Sequence, residues 1–264
     1  MVLTFFSKGS SCTTSNALAI AMQAASKGAK TVILDLNFDS VQPGQTAFIK
    51  DEVAVTGLNY YDNVGLDALI RNVLAKTISK DNILDIQTEI EKNLFYIPKT
   101  IKKDKDLFLS DLSKTLKVIL RALTMYNDVV VIDAGTWMND DLFKESDLLI
   151  VNLPQNINVL KRYVSELHND KTFYLVGNHD SASKYSDKRL MSEIKKDLKK
   201  KIEISHIPHL AEFSDSIQNT ELLNFFNRIE NNKEIDFNYK FIKGVKDTYE
   251  KICNKYDKLD EVRK

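Results

Sequence analysis

Cysteine, proline and glycine are scarce in this sequence of 264 residues. It has two cysteines, four prolines and eight glycines, and 28% of its residues are charged. Such a composition is typical of a helix-rich globular protein. Cys12 and Cys253 form no metal-ligand spacing, and two distant thiols are weak evidence for a disulfide. We therefore expect a reducing, cytoplasmic compartment.

Long apolar runs and an excess of one charge are also missing. No apolar run approaches the roughly 20 residues that a spanning helix needs, and polar residues interrupt the N-terminus from Ser7 onward. We expect neither a transmembrane segment nor a secretion signal. Basic and acidic residues number 37 each. The overall charge therefore indicates neither a nucleic acid nor a membrane partner, and any such partner would need a local patch.

The pattern of apolar residues predicts an alternation of strands and helices. Runs rich in β-branched residues predict strands at 2–6, 31–36, 93–98, 128–135, 147–154 and 172–178. Helical patterns lie at 15–27, 65–78, 107–126, 156–168, 187–200, 218–230 and 239–260. Most of the strands are continuously apolar, as parallel strands covered on both faces are. We predict an α/β fold with a doubly wound, mostly parallel sheet and helices on both faces.

The chain has no internal repeat and no linker rich in proline, glycine or serine. We therefore predict one main domain, residues 1–235, followed by an amphipathic C-terminal helix in residues 236–264. The least periodic segment, 37–64, is expected to form loops over the carboxyl ends of the strands, where ligands bind in such sheets.

The first strand–turn–helix unit contains the stretch TFFSKGSSCTTS, residues 4–15. A turn of small residues between a strand and a helix is the usual setting for phosphate binding. Taken alone, the stretch is better explained by a plain turn with Thr13, Thr14 or Ser15 as the helix N-cap.

Two aspartates favour the binding site over the plain turn. Asp35 and Asp133 each end a buried apolar strand, in VILDL and VVVIDAG. A carboxylate in that position is costly to desolvate unless it has a partner. Each aspartate alone is open to a second explanation, as the cap of the following turn.

In their order along the chain, these motifs resemble the ParA/MinD family of deviant Walker ATPases, whose loop reads K-G-G-x-G-K-[ST]-[ST]. The aligned residues here are Lys8, Gly9, Ser10, Ser11, Cys12, Thr13, Thr14 and Ser15. The resemblance covers about residues 2–230. It implies a P-loop NTPase-like fold, ATP and magnesium as cofactors, and a homodimer.

The resemblance also implies individual roles. Lys8 matches the signature lysine, which contacts phosphate across the dimer interface. Thr14 and Asp133 match the magnesium ligands, and Asp35 matches the residue that orients the attacking water and contacts the magnesium shell. Asn178 and Pro208 match positions that recognise the adenine base.

The sequence departs from the family pattern where catalysis is concentrated. Ser10 and Cys12 replace glycines, and residues with a Cβ at such positions cost on the order of 1 kcal/mol each. Thr13 replaces the loop lysine and cannot supply its charge to the phosphates. We therefore expect weak or absent hydrolysis, as in a pseudo-ATPase. Neither Ser11 nor Cys12 has a base partner for nucleophilic catalysis.

The resemblance implies a dimeric scaffold for DNA partition or conjugation, or for placing an envelope machine such as a pilus or secretion system. Its partner would be a protein of that positioning or conjugation system. Two alternatives stay open: an active ATP-dependent partition ATPase, and a protein-interaction module that binds no nucleotide.

Two histidines, His206 and His209, have the i, i+3 spacing of metal ligands on a helix. Pro208 between them favours a loop, and no cluster of carboxylates or cysteines adjoins them in the sequence. We therefore do not predict a metal site there.

A basic run at 184–201 is a candidate surface for non-specific DNA binding. Its candidate residues are Lys195, Lys196, Lys199 and Lys200. The simpler and favoured explanation is a solvated helix face.

The C-terminal helix carries one narrow apolar seam. Its members are Ile242, Val245, Tyr249, Ile252, Tyr256 and Leu259. Packing on the chain's own body and contact with a partner helix are equally compatible with this pattern. Acidic residues are mixed with lysines on the polar face, which argues against peripheral membrane contact.

Overall fold

The computed structural model describes residues 1–9, 12–38, 44–48, 64–229 and 237–263. In these ranges, eight strands form one sheet. They are β1 (Val2–Phe6), β2 (Thr31–Asp35), β3 (Thr88–Glu91), β4 (Leu94–Ile97), β5 (Val129–Asp133), β6 (Leu148–Leu153), β7 (Thr172–His179) and β8 (Ile204–Pro208).

Ten α-helices lie in the same ranges. They are α1 (Thr13–Ser26), α2 (Gly65–Leu74), α3 (Lys80–Ile86), α4 (Lys105–Tyr126), α5 (Asp140–Glu145), α6 (Ile157–Leu167), α7 (Asp187–Leu198), α8 (Ala211–Gln218), α9 (Leu222–Ile229) and α10 (Phe237–Arg263). A short 3-10 helix spans Gly44–Ala47. None of the helices in the described ranges is long and apolar enough to cross a membrane.

The strand order is β3-β4-β2-β5-β1-β6-β7-β8. All neighbouring pairs are parallel except β3–β4, which is antiparallel at the sheet edge. Side chains of alternate strand residues pack on α1, α8, α9 and α10 on one face, and on α2 to α7 on the other. Because both faces are covered, the central strands are buried along their whole length. The predicted doubly wound, mostly parallel sheet is confirmed.

Helix α10 packs on the chain's own core. Phe241, Ile242, Val245 and Ile252 are buried in the cluster that contains α1, and Tyr249, Tyr256 and Leu259 pack against that cluster. Gly244 lies directly on Pro208 of β8, and a Cβ on Gly244 would come 2.5 Å from Pro208 Cδ. The seam of the C-terminal helix is therefore buried within the chain.

The structure corrects several predicted elements. The helix predicted at 218–230 begins later, as α9 at Leu222, because a turn in which Thr220 has a positive φ of 60° precedes it. Helix α8, before that turn, had no prediction. Strands β3 and β8 had no prediction because they are short and carry polar residues, and His206, expected in a loop, lies in β8. The segment 37–64 lies mostly outside the described residues.

The burial of the seam predicts a large cost for truncating it. Ile252→Ala should lower the free energy of unfolding by about 2–4 kcal/mol, because Ile252 is fully buried and its loss leaves a cavity. Val262→Ala on the same helix is the control. Val262 is 85% exposed, so we expect a change within about 0.5 kcal/mol. Urea unfolding of both variants measures the difference, and equal values would contradict the packing of α10 described above.

Candidate functional site

The carboxyl ends of β1, β2 and β5 meet at one edge of the sheet, where the first helix begins. Asp35 and Asp133 are direct neighbours in the parallel β2–β5 ladder. Both are buried, with 1% and 3% of their surfaces exposed. Thr14, in the first turn of α1, faces them. The fold thus brings together three residues that the sequence predicted as magnesium-side ligands.

Short hydrogen bonds connect these side chains. The Thr14 hydroxyl donates to Asp133 Oδ2 at 2.5 Å. Asp35 accepts from the Tyr96 hydroxyl at 2.8 Å and from the backbone N–H of Asn37 at 3.0 Å. Each acid is therefore held in one orientation, which leaves little freedom to lose on binding a ligand.

The backbone of Gly135 also holds Asp133 in place. Its N–H donates to Asp133 Oδ1 at 3.1 Å, and its carbonyl accepts from the Ser7 N–H at 2.9 Å. Its φ is +55°, and a Cβ would lie 2.3 Å from the Asn37 side chain, so only glycine fits. Asn37 Nδ2 in turn lies 3.4 Å from Thr14 Oγ1 and donates to it.

Burial and the neighbouring Asp35 raise the pKa of Asp133 from 3.8 to about 7. Two buried acids side by side repel each other when both are ionised. A hard divalent cation with carboxylate and hydroxyl oxygens as ligands would remove that repulsion. The donor set of Thr14, Asp133 and Asp35 therefore fits Mg²⁺.

The turn before α1 keeps a left-handed backbone without a glycine. Cys12 is the N-cap of α1, with φ 56° and ψ 31°, and its side chain makes no capping hydrogen bond. The predicted N-cap, Thr13, Thr14 or Ser15, is therefore wrong. A Cβ in this conformation costs on the order of 1 kcal/mol. Ser10 and Ser11 lie outside the described residues.

Thr13 and Lys8 both contact side chains of the same chain. Thr13 is buried, and its hydroxyl donates to Ser7 Oγ at 3.0 Å. The Lys8 ammonium forms an ion pair with Glu166 on α6, and the Lys8 N–H donates to the Tyr163 hydroxyl at 2.6 Å. The signature lysine is thus held on a helix of its own subunit.

Gly9 and Ser15 are the two remaining residues that align with the family's phosphate loop. Gly9 is exposed, and a Cβ there would meet no described atom within 4 Å, so packing does not require glycine at that position. Ser15 follows Thr14 in the first turn of α1 and is half-buried.

Cys12 also joins the turn to the predicted base site. Its thiol hydrogen-bonds Asn178 at the end of β7, and burial raises the pKa of Cys12 above its ordinary value. The thiol is therefore protonated at neutral pH and is no nucleophile. Asn178 has φ +51°, and its Oδ1 lies 3.2 Å from His209 Nδ1. Pro208 ends the adjacent strand β8, so the two predicted base contacts are neighbours.

The lysines proposed for DNA binding do not form one uniform set. Lys195, Lys196 and Lys199 are exposed at the end of α7. Lys200 instead donates to the carbonyl of Val164 on α6 at 3.2 Å, which ties it to the protein body.

Asn37, Tyr96 and Gly135 belong to the site but had no prediction from the sequence. Asn37 and Gly135 each follow a predicted aspartate by two residues, which is the only local signal they carry. Tyr96 lies on β4, and only the pairing of β4 with β2 brings its hydroxyl to Asp35.

The strand order, the helices on both faces and the acids at adjacent strand ends define a P-loop NTPase-like fold of the ParA/MinD type. No protein-family model matches the sequence, and no curated protein matches it either. The likeness is found among solved structures.

A ParA family ATPase from Chlorobium tepidum superposes with a TM-score of 0.68 at 12% identity, covering 94% of this chain and 98% of that one. A putative plasmid partition protein from Borrelia burgdorferi, bound to AMPPNP, has a TM-score of 0.59 at 19% identity and covers 98% of both chains. The septum site-determining protein MinD of Pyrococcus horikoshii, complexed with Mg-ADP, has a TM-score of 0.64 at 12% identity and 94% coverage of both. The chain has the fold of these proteins.

The raised pKa of Asp133 predicts how stability depends on pH. When a chelator keeps the site free of divalent cations, the free energy of unfolding should fall as the pH rises from about 5 to about 8. The folded state holds a proton on Asp133 that the unfolded chain has already lost above its ordinary pKa of 3.8, and this advantage disappears near the folded value of about 7. Asp133→Asn should flatten the slope and make the protein more stable at the upper end.

Urea unfolding at several pH values measures this slope. Asp128→Asn is the matched control. It removes an exposed carboxylate just before β5, the strand that ends at Asp133, and it should keep the wild-type slope. An Asp133→Asn slope equal to that of wild type would show that Asp133 is not protonated in the folded state.

Proposed function

We propose that this protein is a ParA/MinD-like positioning or partition protein that binds ATP with Mg²⁺ weakly and hydrolyses it slowly or not at all. It would act as a dimeric scaffold. The observation that carries the proposal is the cluster of Thr14, Asp133 and Asp35. Thr14 hydrogen-bonds Asp133, and Asp35 is the neighbour of Asp133 in the β2–β5 ladder. This cluster fits a magnesium ion beside a turn that lacks the phosphate-binding lysine.

Binding is supported by what the turn retains. Cys12 holds the left-handed conformation that turns backbone N–H groups toward an anion, and the N-terminus of α1 adds its dipole. Asn178 and Pro208 adjoin this turn, and in our proposal they receive the base.

Slow or absent hydrolysis is supported by what has been replaced. Magnesium supplies charge neutralisation between the phosphates when bound. Thr14 and Asp133 would hold it, and Asp35, fixed by Tyr96 and Asn37, would orient the attacking water. Thr13 carries no positive charge, and its hydroxyl already donates a hydrogen bond to Ser7 Oγ. The site therefore keeps the groups that position water and cation but lacks the charge that stabilises the transition state.

Dimerisation is proposed through the signature lysine. Lys8 lies in an exposed ion pair with Glu166, and both side chains are 37% exposed. Such an exposed pair contributes little stability, so a phosphate of a partner subunit's nucleotide can replace Glu166 at little cost. The ion pair would then be the resting state of a lysine that acts across the interface.

The cellular role is inferred from the structural neighbours. The proteins reported above include a plasmid partition protein and a septum site-determining protein. We propose the same class of work here, in partition or conjugation of DNA or in placing an envelope machine, with a protein partner from that system. A protein-interaction module that binds no nucleotide is the alternative.

Restoring the missing groups should raise nucleotide affinity. The double variant Cys12→Gly, Thr13→Lys relieves the strained backbone and adds a charge-assisted hydrogen bond, so we expect ATP to bind about 10- to 100-fold more tightly. Adding Ser10→Gly should not reverse the gain. Isothermal titration with ATP and Mg²⁺ measures it.

The matched control is Ser26→Lys, which adds the same charge at the exposed far end of α1 and should leave the affinity unchanged. If ATP gives no heat and no rise in melting temperature with wild type or the restored variant, while wild type dimerises, the interaction module is the better explanation.

Partition by DNA attachment predicts a salt-sensitive gel shift that depends on α7. Reversing Lys195, Lys196 and Lys199 to glutamate should abolish the shift, because clustered lysines neutralise phosphates. The control reverses three exposed lysines elsewhere, Lys92, Lys103 and Lys114, with the same change of net charge. Equal loss in both variants would show that overall charge, not this surface, is responsible.

A further inference from the structure

Two histidines and an aspartate converge where β7, β8 and α7 meet. His179 is the last residue of β7, His206 lies in β8, and Asp187 is the first residue of α7. One ligand atom from each lies within 4.8 Å of the others. The two imidazole rings stack with their centroids 4.0 Å apart, and His206 Nδ1 lies 2.6 Å from Asp187 Oδ2.

The sheet itself produces this convergence. The β7–β8 ladder pairs Val176 with His206 and then shifts register before His179 pairs with Pro208. The irregularity sets His179 against the ring of His206 instead of leaving them on opposite faces. Because the shift is fixed by backbone pairing, the rings are held together without needing a ligand.

Two polar atoms of this cluster are left unsatisfied. His179 Nε2 and Asp187 Oδ1 are shielded from solvent and have no hydrogen-bond partner among the described residues. Such a group normally destabilises the folded state. A bound cation would accept an electron pair from both the imidazole nitrogen and the carboxylate oxygen, and so would satisfy the two atoms together.

We propose that His179, Asp187 and His206 form a binding site for a borderline transition-metal ion of the zinc type. Two imidazoles with one carboxylate are a donor set suited to Zn²⁺, Co²⁺ or Ni²⁺, whereas Mg²⁺ prefers oxygen ligands alone. This site is separate from the oxygen ligands Thr14, Asp133 and Asp35, but it adjoins Asn178 and Pro208, which line the same cavity and are proposed to receive the base.

The separations of the ligand atoms are of the size that a metal site requires. Ligand atoms around a tetrahedral zinc ion lie about 3.3 Å apart, given bonds of about 2.0–2.2 Å. The present separations, from 2.6 Å to at most 4.8 Å, bracket that value.

The cluster is accessible from solvent. His179 and His206 line a cavity of about 690 Å³ between the sheet edge and α10, so water can complete the coordination. The charged residues that also line it are Asp180, Lys240, Lys243 and Asp247. Two acids balance two lysines, so the walls carry no net charge against an entering cation.

The sequence did not reveal this site because the histidine pair with metal-ligand spacing, His206 and His209, is not the pair that lies together in the structure. His206 and His209 have the familiar spacing, but His209 contacts Asn178 instead. The carboxylate that adjoins His206 comes from Asp187, nineteen residues earlier in the chain. It follows that no sequence spacing rule would have joined His179, Asp187 and His206.

Zinc titration of the tag-free protein tests the proposal. Excess Mg²⁺ is present to occupy any oxygen-only site, and Cys12→Ser, Cys253→Ser is the background so that thiols do not bind the metal. We expect one Zn²⁺ per chain by calorimetry and a melting temperature that rises with zinc concentration. Co²⁺ should give the visible absorption of a low-symmetry nitrogen and oxygen site.

Three variants separate a metal site from a structural hydrogen bond. His206→Gln can keep a hydrogen bond to Asp187. His179→Phe keeps an aromatic ring stacked on His206. Asp187→Asn keeps a polar side chain of the same size at the first residue of α7. Each should weaken Zn²⁺ binding about 100-fold or more. His168→Gln, which changes a histidine outside the cluster, and Asp133→Asn should bind as wild type does.

The outcomes are decisive in both directions. Loss of binding in the cluster variants, with far-UV circular dichroism unchanged, supports the site. Wild type that binds no zinc, or cluster variants that bind it as tightly as wild type, overturns it. Since Asp187→Asn removes only a charge, it decides the question even if one of the histidine variants fails to fold.

Discussion

The parallel pairing of β2 with β5 is the constraint on which the proposed chemistry depends. It sets Asp35 and Asp133 side by side at the buried edge of the sheet. Like charges in such a place destabilise the folded chain unless a proton or a cation is shared between them. The surrounding donors, Thr14, Tyr96 and Gly135, orient the two acids without neutralising them. The two acids therefore destabilise the folded chain unless a proton or a cation is bound between them.

The turn before α1 also contains a residue in an energetically unfavourable conformation. Cys12 occupies a backbone conformation that glycine would adopt without strain. Its thiol contacts Asn178, so the residue that strains the turn also links it to β7. A strained conformation that persists must be held by its surroundings. Here the buried α1 and its packing against the sheet supply that support.

The sequence predicted the fold well because the central strands are buried on both faces and therefore read as unbroken apolar runs. It also predicted Asp35, Asp133 and Thr14, since each stands at a strand or helix end. It failed for β3 and β8, whose edge positions allow polar residues, and for Tyr96 and Asp187. Those two reach their partners only through tertiary pairing, which leaves no periodic trace in the chain.

The contact between α1 and α10 has a consequence for how the molecule is made. These helices come from opposite ends of the chain, yet they share one core cluster, and Gly244 of α10 rests on β8. During synthesis the first helix emerges from the ribosome long before its partner exists. One face of the sheet therefore stays open to water, and to chaperones, until α10 has been added.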